Sequence, residues 1–391
     1  MPKKLTRVVI VSPTYNEKGN IARLAKVLFE EIFPKLEKEY DCHVLIVDDS
    51  SPDGTGQEVL RLSKIYKSLH LMTNKKKLGL GNAYTKGMTY AIDELEADIV
   101  FSFDADFQHD PTRIPLMLNK LNQGNDIVLG ARYIPGGSIP DTWGFHRKFL
   151  SIVGNFTIRV VITNFSIHDW TTGYRAIRRK VVRAVLPEMN SDTFMGYTFQ
   201  IGLLHKAVRK GFKVAEVPLK FVDRTYGKSK LGAEYVKNTL LYIFKVRFNE
   251  IINSRVFKFG VVGGIGSLIQ MIAFSILPFS YHLAVAISIE MAIISNFILN
   301  NIWTFTDKKL SASTIPTKFL KFNLASFGSI LIQFMSATLG KAVFGLAPIG
   351  KFFGLSLNTG HIYLAIGIGL GMVWNYIAYN RLIWNRADAA N

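Results

Sequence analysis

Beyond Val256 the pattern of the chain changes, and that change limits the possible folds more than any other feature. From there the apolar runs are long enough to cross a bilayer, whereas residues 1 to about 230 mix charged and apolar side chains as a water-facing domain does. Four spans are expected, at about 256–278, 282–304, 321–345 and 361–384, with an aromatic, basic amphipathic segment at 233–255 joining them to domain 1–232. Lysine and arginine at 245, 247, 255 and 258, at 308, 309, 318 and 321, and at 381 and 386 fall on one side of those spans, with Lys351 the main exception. The positive-inside rule then puts both termini and the N-terminal domain in the cytoplasm. The spans also look duplicated: Lys258-Phe259 and Leu268-Ile-Gln270 recur as Lys321-Phe322 and Leu331-Ile-Gln333, and Asn296/Asn301 as Asn375/Asn380. Gly260, Gly263, Gly264 and Gly266 would allow close helix contact, and with it self-association through the membrane domain. Glu290, an acid within a span, is either a functional group or the partner of Lys341 or of a neighbouring amide.

The N-terminal part alternates strand and helix. Strands are expected at 6–12, 43–48, 69–73, 98–103 and 126–130, and helices at 18–38, 55–67, 80–95 and 112–122. Such alternation predicts an α/β, Rossmann-like, mostly parallel sheet with helices on both faces and a ligand at the carboxyl ends of its strands. The polar clusters fall at those ends: Ser12-Pro-Thr-Tyr-Asn-Glu17, Asp48-Asp-Ser-Ser-Pro-Asp-Gly-Thr55 and Asp104-Ala-Asp106. Asp104 and Asp106, with the amide of Gln108, are hard oxygen donors suited to Mg²⁺ or Mn²⁺ on a diphosphate. The same stretch also fits a turn and a helix cap, with Asp110 as cap and Pro111 at the first helical position. Pro13 and Tyr15 could line a slot for a base, Asp48 or Asp49 could accept hydrogen bonds from base or ribose, and Glu17 could be an ordinary early helical acid.

The net charge of +18, from 47 Lys+Arg against 29 Asp+Glu, would suit nucleic acid, but no nucleic-acid-binding motif occurs. Anionic membrane lipids and a polyphosphate ligand explain it better. The single cysteine, Cys42, rules out an intrachain disulfide and reads as a packing residue. No cleavable leader precedes the first strand, and Gly79-Leu-Gly81 lacks the Gly-Lys-Ser/Thr of a Walker loop. Arg132, Arg147 and Lys230 are the best cations for gripping phosphates, whereas Arg175, Arg178 and Arg179 read as solvated or salt-bridged surface residues. The polar, glycine-containing loop around Lys230 is expected to order over a bound polyphosphate ligand.

Together, Pro13-Thr-Tyr-Asn-Glu17, Asp48 to Thr55, Leu78-Gly-Leu-Gly-Asn-Ala83, Asp104-Ala-Asp106, Gly130-Ala-Arg-Tyr133, Thr172-Gly-Tyr-Arg175 and Glu216-Val-Pro218 resemble the family 2 glycosyltransferases of the GT-A fold. Gly196-Tyr-Thr-Phe-Gln200, Phe221-Val-Asp-Arg224 and Tyr226-Gly-Lys-Ser-Lys-Leu231 resemble its dolichyl-phosphate mannose synthase branch. Lys258-Phe-Gly260 and Asn300-Asn-Ile-Trp-Thr-Phe305 resemble the GtrA-like membrane domain. The resemblance implies a metal-dependent, inverting transfer of mannose from GDP-mannose to dolichyl or another polyprenyl phosphate. It further implies catalytic Asp104, Asp106, Arg132 and Arg147, and donor binding by Pro13, Tyr15, Glu17, Val47, Asp49, Asp104, Ala105, Asp106, Arg132 and Lys230. The metal would sit on Asp104, Asp106 and Gln108, and the lipid phosphate on Arg147 and Ser151. A UDP-glucose donor, a flippase role for the spans and a catalytically dead regulator are the competing readings. One departure stands out: relatives often carry an acid two positions after the equivalent of Gln200, where this chain has Gly202.

Overall fold

The computed structural model describes residues 4–77, 79–189, 194, 196, 198–223, 233–279, 281–352 and 355–384. It divides into two units, Met1–Arg247 and Phe248–Asn391. The first is built on a sheet of β1 (Thr6–Thr14), β2 (Tyr40–Asp48), β3 (Leu69–Thr73), β4 (Ile99–Ser102), β5 (Ile127–Ala131), β6 (Arg175–Arg178) and β7 (Val214–Pro218). The strand order is β3-β2-β1-β4-β6-β5-β7, parallel throughout except for β6, which runs antiparallel between β4 and β5.

The β-branched runs of β1 and β2 are buried on both faces, as a sheet covered by helices on each side requires. Val9, Val11, Leu45 and Val47 pack under α3 (Leu80–Asp93), α6 (Arg179–Val185) and α7 (Thr198–Arg209). Val8, Ile10, Val44 and Ile46 pack on the opposite face under α1 (Lys18–Lys26), α2 (Thr55–Ser63) and α4 (Ile114–Asn122). The expected α/β architecture therefore holds, and β1 and β4 lie side by side where the chain order of the sheet reverses. At such a switch point the loops leaving two neighbouring strands splay apart and leave a crevice.

Local differences have local causes. The helix expected over 18–38 stops being α-helical after Lys26, passing through a π turn at Val27–Ile32 and a 3-10 turn at Phe33–Lys35. Pro34 has no N–H to donate to the ladder, and its ring crowds the preceding turn. The helix expected from 112 opens with a 3-10 turn, Pro111–Arg113, and the Asp110 carboxylate accepts from the Thr112 N–H at 2.9 Å. Asp110 is thus the helix cap that the sequence allowed. Arg175 corrects the surface reading, for it is fully buried and donates to the carbonyls of Thr172 (2.9 Å), Trp170 (3.1 Å) and Gln200 (2.5 Å).

The second unit contains α9 (Arg255–Ile276), α10 (Tyr281–Leu299), α11 (Ile315–Phe344), a β8–β9 hairpin (Pro348–Phe352, Leu355–Asn358) and α12 (Thr359–Ala378). The α10 and α12 helices each run into a π turn, Asn300–Thr304 and Tyr379–Ile383, and the aromatic residues that end those turns, Phe305 and Trp384, stack at 4.5 Å. Asn301 Oδ1 accepts from Trp384 Nε1 at 3.2 Å, and Asn380 Oδ1 accepts from Lys308 Nζ at 3.0 Å, so the paired asparagines tie one hairpin to the other. Glu290 accepts from the Asn323 amide at 3.1 Å. Among the four glycines of α9 singled out above, Gly266 faces Asn296, while a Cβ at Gly260, Gly263 or Gly264 would meet nothing within 4 Å. Among the described residues, Ile315–Phe344 is the helix long and apolar enough to cross a membrane by length and composition.

Candidate active site

The crevice at the ends of β1 and β4 is lined by Pro13, Thr14, Tyr15 and Glu17 from the first loop, and by Asp49 from the second. Lys77, Gly79, Leu80 and Ala83 at the start of α3, Asp104-Ala-Asp106 after β4, and Gly196 complete it. Pro13, Tyr15, Glu17, Asp49, Asp104, Ala105 and Asp106, all named from the sequence, thus line one crevice. Thr14, Lys77, Gly79, Leu80, Ala83 and Gly196 were not named as site residues, although all but Lys77 stand in motifs that carry the family resemblance. Lys77 Nζ lies 4.1 Å from the centre of the Tyr15 ring, which places a cation on that aromatic wall.

The neighbouring aspartates are sorted by their hydrogen bonds. Asp48 is used inside its own turn, accepting from the Ser51 backbone and hydroxyl. Asp49 accepts from Asn74 Nδ2 at 2.8 Å and from the Gly79 N–H at 3.3 Å, which holds the second loop against the start of α3. Asp53 accepts from the Thr55 and Lys18 N–H groups, a turn rather than part of the crevice. Burial alone would raise its carboxyl, but these bonds and that of the Thr55 hydroxyl hold it below the usual value. Val47 is fully buried in the core under the site.

Asp104 is half-exposed and Asp106 is buried. The Tyr84 hydroxyl donates to Asp104 Oδ1 at 2.8 Å, and the Gln108 N–H donates to Asp106 Oδ1 at 3.1 Å. Burial first, and then the Asp104 charge, push the Tyr84 hydroxyl well above its ordinary pKa, so it remains a proton donor. Gln108 is buried outside the crevice lining, and its Nε2 donates to the Val222 carbonyl at 3.2 Å. The Asp104 and Asp106 carboxylates and the Gln108 amide are hard-oxygen donors of the kind a small divalent cation takes. Among the described residues no group of three His, Cys, Asp or Glu side chains could hold a metal by itself.

Arg132 follows the end of β5, outside the crevice lining, in a tight pair with Asp169: Nε donates to Oδ2 at 2.7 Å, and one terminal nitrogen donates to Oδ1 at 2.8 Å and to Thr171 Oγ1 at 2.6 Å. Burial would raise the Asp169 carboxyl, and the Arg132 guanidinium more than offsets this and lowers it. Arg147 and Ser151 stand one turn apart on α5 (Phe145–Ile162). Arg147 covers the Trp143 ring at 3.8 Å and reaches Asp223 at 4.0 Å, while Ser151 Oγ and the Tyr133 hydroxyl are 2.5 Å apart. The same helix exposes Phe145, Phe149, Leu150, Ile152, Val153 and Phe156. Gly202 has no room for an acid, because a Cβ there would sit 2.3 Å from the Phe194 ring. Lys230 and its loop lie outside the described residues.

The mostly parallel sheet, with one antiparallel strand, is that of the GT-A fold, and at its switch point it carries Asp104, half-exposed, and Asp106, buried. Residues 9–186 match the family described as Glycosyl transferase family 2, and residues 258–384 match GtrA/DPMS, transmembrane domain. A dolichol-phosphate mannosyltransferase of Pyrococcus furiosus is 31% identical over 336 residues, covering 84% of this chain and 89% of that protein. A polyprenol monophosphomannose synthase of Mycolicibacterium smegmatis is 34% identical, covering 61% of this chain and 85% of its own. An undecaprenyl-phosphate mannosyltransferase of Micrococcus luteus is 32% identical over 61% of this chain and 92% of its own. The chain belongs to the family 2 glycosyltransferases, and it is a membrane protein that carries a GtrA/DPMS transmembrane domain.

Proposed function

We propose that this enzyme transfers mannose from GDP-mannose to a polyprenyl phosphate such as dolichyl phosphate, with inversion, at the cytoplasmic face of a membrane. The observation that carries this reading is the meeting of Tyr15, Asp49, Lys77, Asp104 and Asp106 in one crevice. Tyr15 and Pro13 suit a base, Asp49 a ribose or base, and the carboxylate pair a diphosphate through a cation. The names of the three relatives support the mannosyl group and the lipid phosphate.

Asp104, Asp106 and Gln108 would hold Mg²⁺ or Mn²⁺. When bound, that ion would supply positive charge for the departing nucleoside diphosphate. Lys77, already in the crevice, adds a cation for the same charge, and Arg132, oriented by Asp169, would add another. On α5, Arg147 and Ser151 offer a cation and a hydroxyl to the acceptor phosphate, and the exposed apolar side chains of the same helix suit lipid contact. The acceptor is an anion at neutral pH, so its oxygen attacks without a general base, and the absence of an acid at Gly202 costs nothing. Residues 1–232 would form the catalytic domain, 233–255 the interfacial linker, and 256–391 a four-span membrane domain that keeps both termini cytoplasmic.

The test is transfer by the purified full-length protein with a panel of nucleotide sugars, a polyprenyl phosphate and Mn²⁺. Mannosyl lipid formed from GDP-mannose supports the reading; glucosyl lipid from UDP-glucose alone would replace the donor. Asp106→Asn should remain folded and membrane-inserted while losing at least ~100-fold in kcat, in line with removal of one group that stabilises transition-state charge.

A further inference from the structure

We propose that Tyr84 and His109 are positioning residues that hold the Asp104 carboxylate in place for a divalent cation, and that the Thr172-Gly-Tyr-Arg175 turn exists in part to fix His109. The inference rests on the metal reading given above and deepens it. Two side chains from different elements meet the same carboxylate. Tyr84 comes from α3, is fully buried, and donates its hydroxyl to Asp104 Oδ1 at 2.8 Å. Its ring stacks on Phe199 of α7, with centroids 5.8 Å apart and planes 8° from parallel, so the hydroxyl has little freedom to leave.

His109 acts from the other side. The Asp104 backbone N–H donates to His109 Nδ1 at 2.9 Å, so Nδ1 presents its lone pair and the ring proton belongs on Nε2. That Nε2 lies 3.7 Å from Asp104 Oδ2, while Tyr84 donates to Oδ1. One residue therefore sets the backbone of Asp104 and faces its side chain.

The ring of His109 is itself held. Tyr174 stacks on it at 5.0 Å with planes 12° apart, and Phe103 meets its edge at 5.5 Å. The Tyr174 hydroxyl in turn donates to the Asp110 carbonyl at 3.0 Å, which ties the stacking ring back to the loop that carries His109. Gly173 lies against the same pair: a Cβ there would come within 3.3 Å of His109 Cε1, so the ring would have to shift by a few tenths of an ångström, and within 3.5 Å of Asp104 Oδ2. Tyr174 supplies the ring that stacks on His109, which gives that motif a role beyond β6.

A monodentate or bridging carboxylate binds a cation well when its rotamer is set beforehand, because the ordering cost is then absent from the binding step. Outer-shell partners of this kind typically change metal affinity by 10–100-fold. The experiment is a Mn²⁺ titration of the detergent-solubilised full-length protein with GDP present, following free Mn²⁺ by electron paramagnetic resonance. Wild type is compared with Asp106→Asn, Tyr84→Phe, His109→Asn and His109→Ala, alongside thermal midpoints.

Tyr84→Phe keeps the stacked ring and should weaken Mn²⁺ binding by about 10–100-fold, with most of kcat recovered at saturating Mn²⁺. His109→Asn retains an acceptor near the Nδ1 position, so it should lose less affinity than His109→Ala. The inference is overturned if Tyr84→Phe and both His109 variants bind Mn²⁺ within twofold of wild type while Asp106→Asn does not bind; the metal reading would then stand without it. Unaltered Mn²⁺ binding by Asp106→Asn would overturn the metal reading and this inference together. Should one His109 variant fail to fold, the other decides the role of His109, and Tyr84→Phe decides that of Tyr84, since it removes one oxygen from a ring that stays in place.

Discussion

At the scale of single residues, the sequence identified chemical types well and their engagements poorly. Asp104, Asp106, Tyr15 and Asp49 were legible because carboxylates and an aromatic ring cluster after strand ends. Nothing in the local pattern shows that Arg132 is gripped by Asp169, 37 positions away. That pair makes a prediction: Arg132→Met should leave a buried carboxylate unpaired and cost about 3–5 kcal/mol of stability, read by denaturant unfolding. A loss confined to activity would argue that Arg132 serves substrate alone. A second pair sets a pH dependence. His43 Nδ1 and His70 Nε2 are 3.0 Å apart, and Asp41, itself paired with Arg7, meets the other ring nitrogen of His43. Burial, and then the charges of His43 and Arg7, lower the pKa of His70 from its ordinary 6.5. The unfolded chain therefore takes up a proton that the folded one resists, and stability should fall as the pH drops below about 6.5. His70→Asn should flatten that slope in thermal melts between pH 7 and 5; an unchanged slope would assign it to other groups.

At the scale of elements, the strongly periodic strands and helices were readable and the interruptions less so. Pro34 was a visible stop for the helix from Lys18, yet the amphipathic pattern continued beyond it and suggested a longer helix. The antiparallel β6 went unnoticed because its four residues, Arg-Ala-Ile-Arg, carry charge at both ends. Only the sheet shows that Arg175 turns inward to cap carbonyls. Gly81 marks another element-level constraint, since a Cβ at this position of α3 would lie 1.7 Å from the Phe194 carbonyl oxygen. Gly81→Ala should displace one of the two backbones, destabilise by about 1–3 kcal/mol and weaken donor binding. A variant with unchanged thermal midpoint and donor KM would show that this packing yields freely. On α5, Asn155 and Ile158 are buried while most large apolar side chains are exposed. Phe149→Asp is expected to raise KM for a long-chain lipid phosphate about tenfold or more, since a Phe side chain contributes roughly 1.5–3 kcal/mol on burial. Equal effects on lipid and donor KM would instead point to a folding defect.

At the scale of the whole molecule, the break in hydrophobic pattern separated a catalytic part from a membrane part. The matches at 9–186 and 258–384 fall on either side of it. Duplication within the membrane part was visible as repeated Lys-Phe, Leu-Ile-Gln and paired asparagines. The way the copies join was not visible: Phe305 stacks on Trp384, and Phe322 stacks on Tyr379 at 4.0 Å. Trp384→Ala should cost about 3–5 kcal/mol in that buried cluster. Membrane orientation is a separate prediction from charge alone. In a Cys42→Ser background, cysteines placed at Lys308 and in the N-terminal domain should react with an impermeant thiol reagent only when the cytoplasmic face is open, and labelling from opposite faces would reverse the proposed topology.

The sequence by itself determined the period and order of the elements as far as β5, the hard-oxygen character of Asp104 and Asp106, and the change of pattern between the two parts. Those follow from side-chain type and short-range spacing, which every chain carries along its length. Tertiary structure decided which aspartate faces the crevice, that Lys77 joins Tyr15 and that Arg132 is held by Asp169. It also decided that Tyr84 and His109 converge on Asp104. Such contacts join residues tens of positions apart, and they exist only once the parallel sheet has brought its strand ends to one rim.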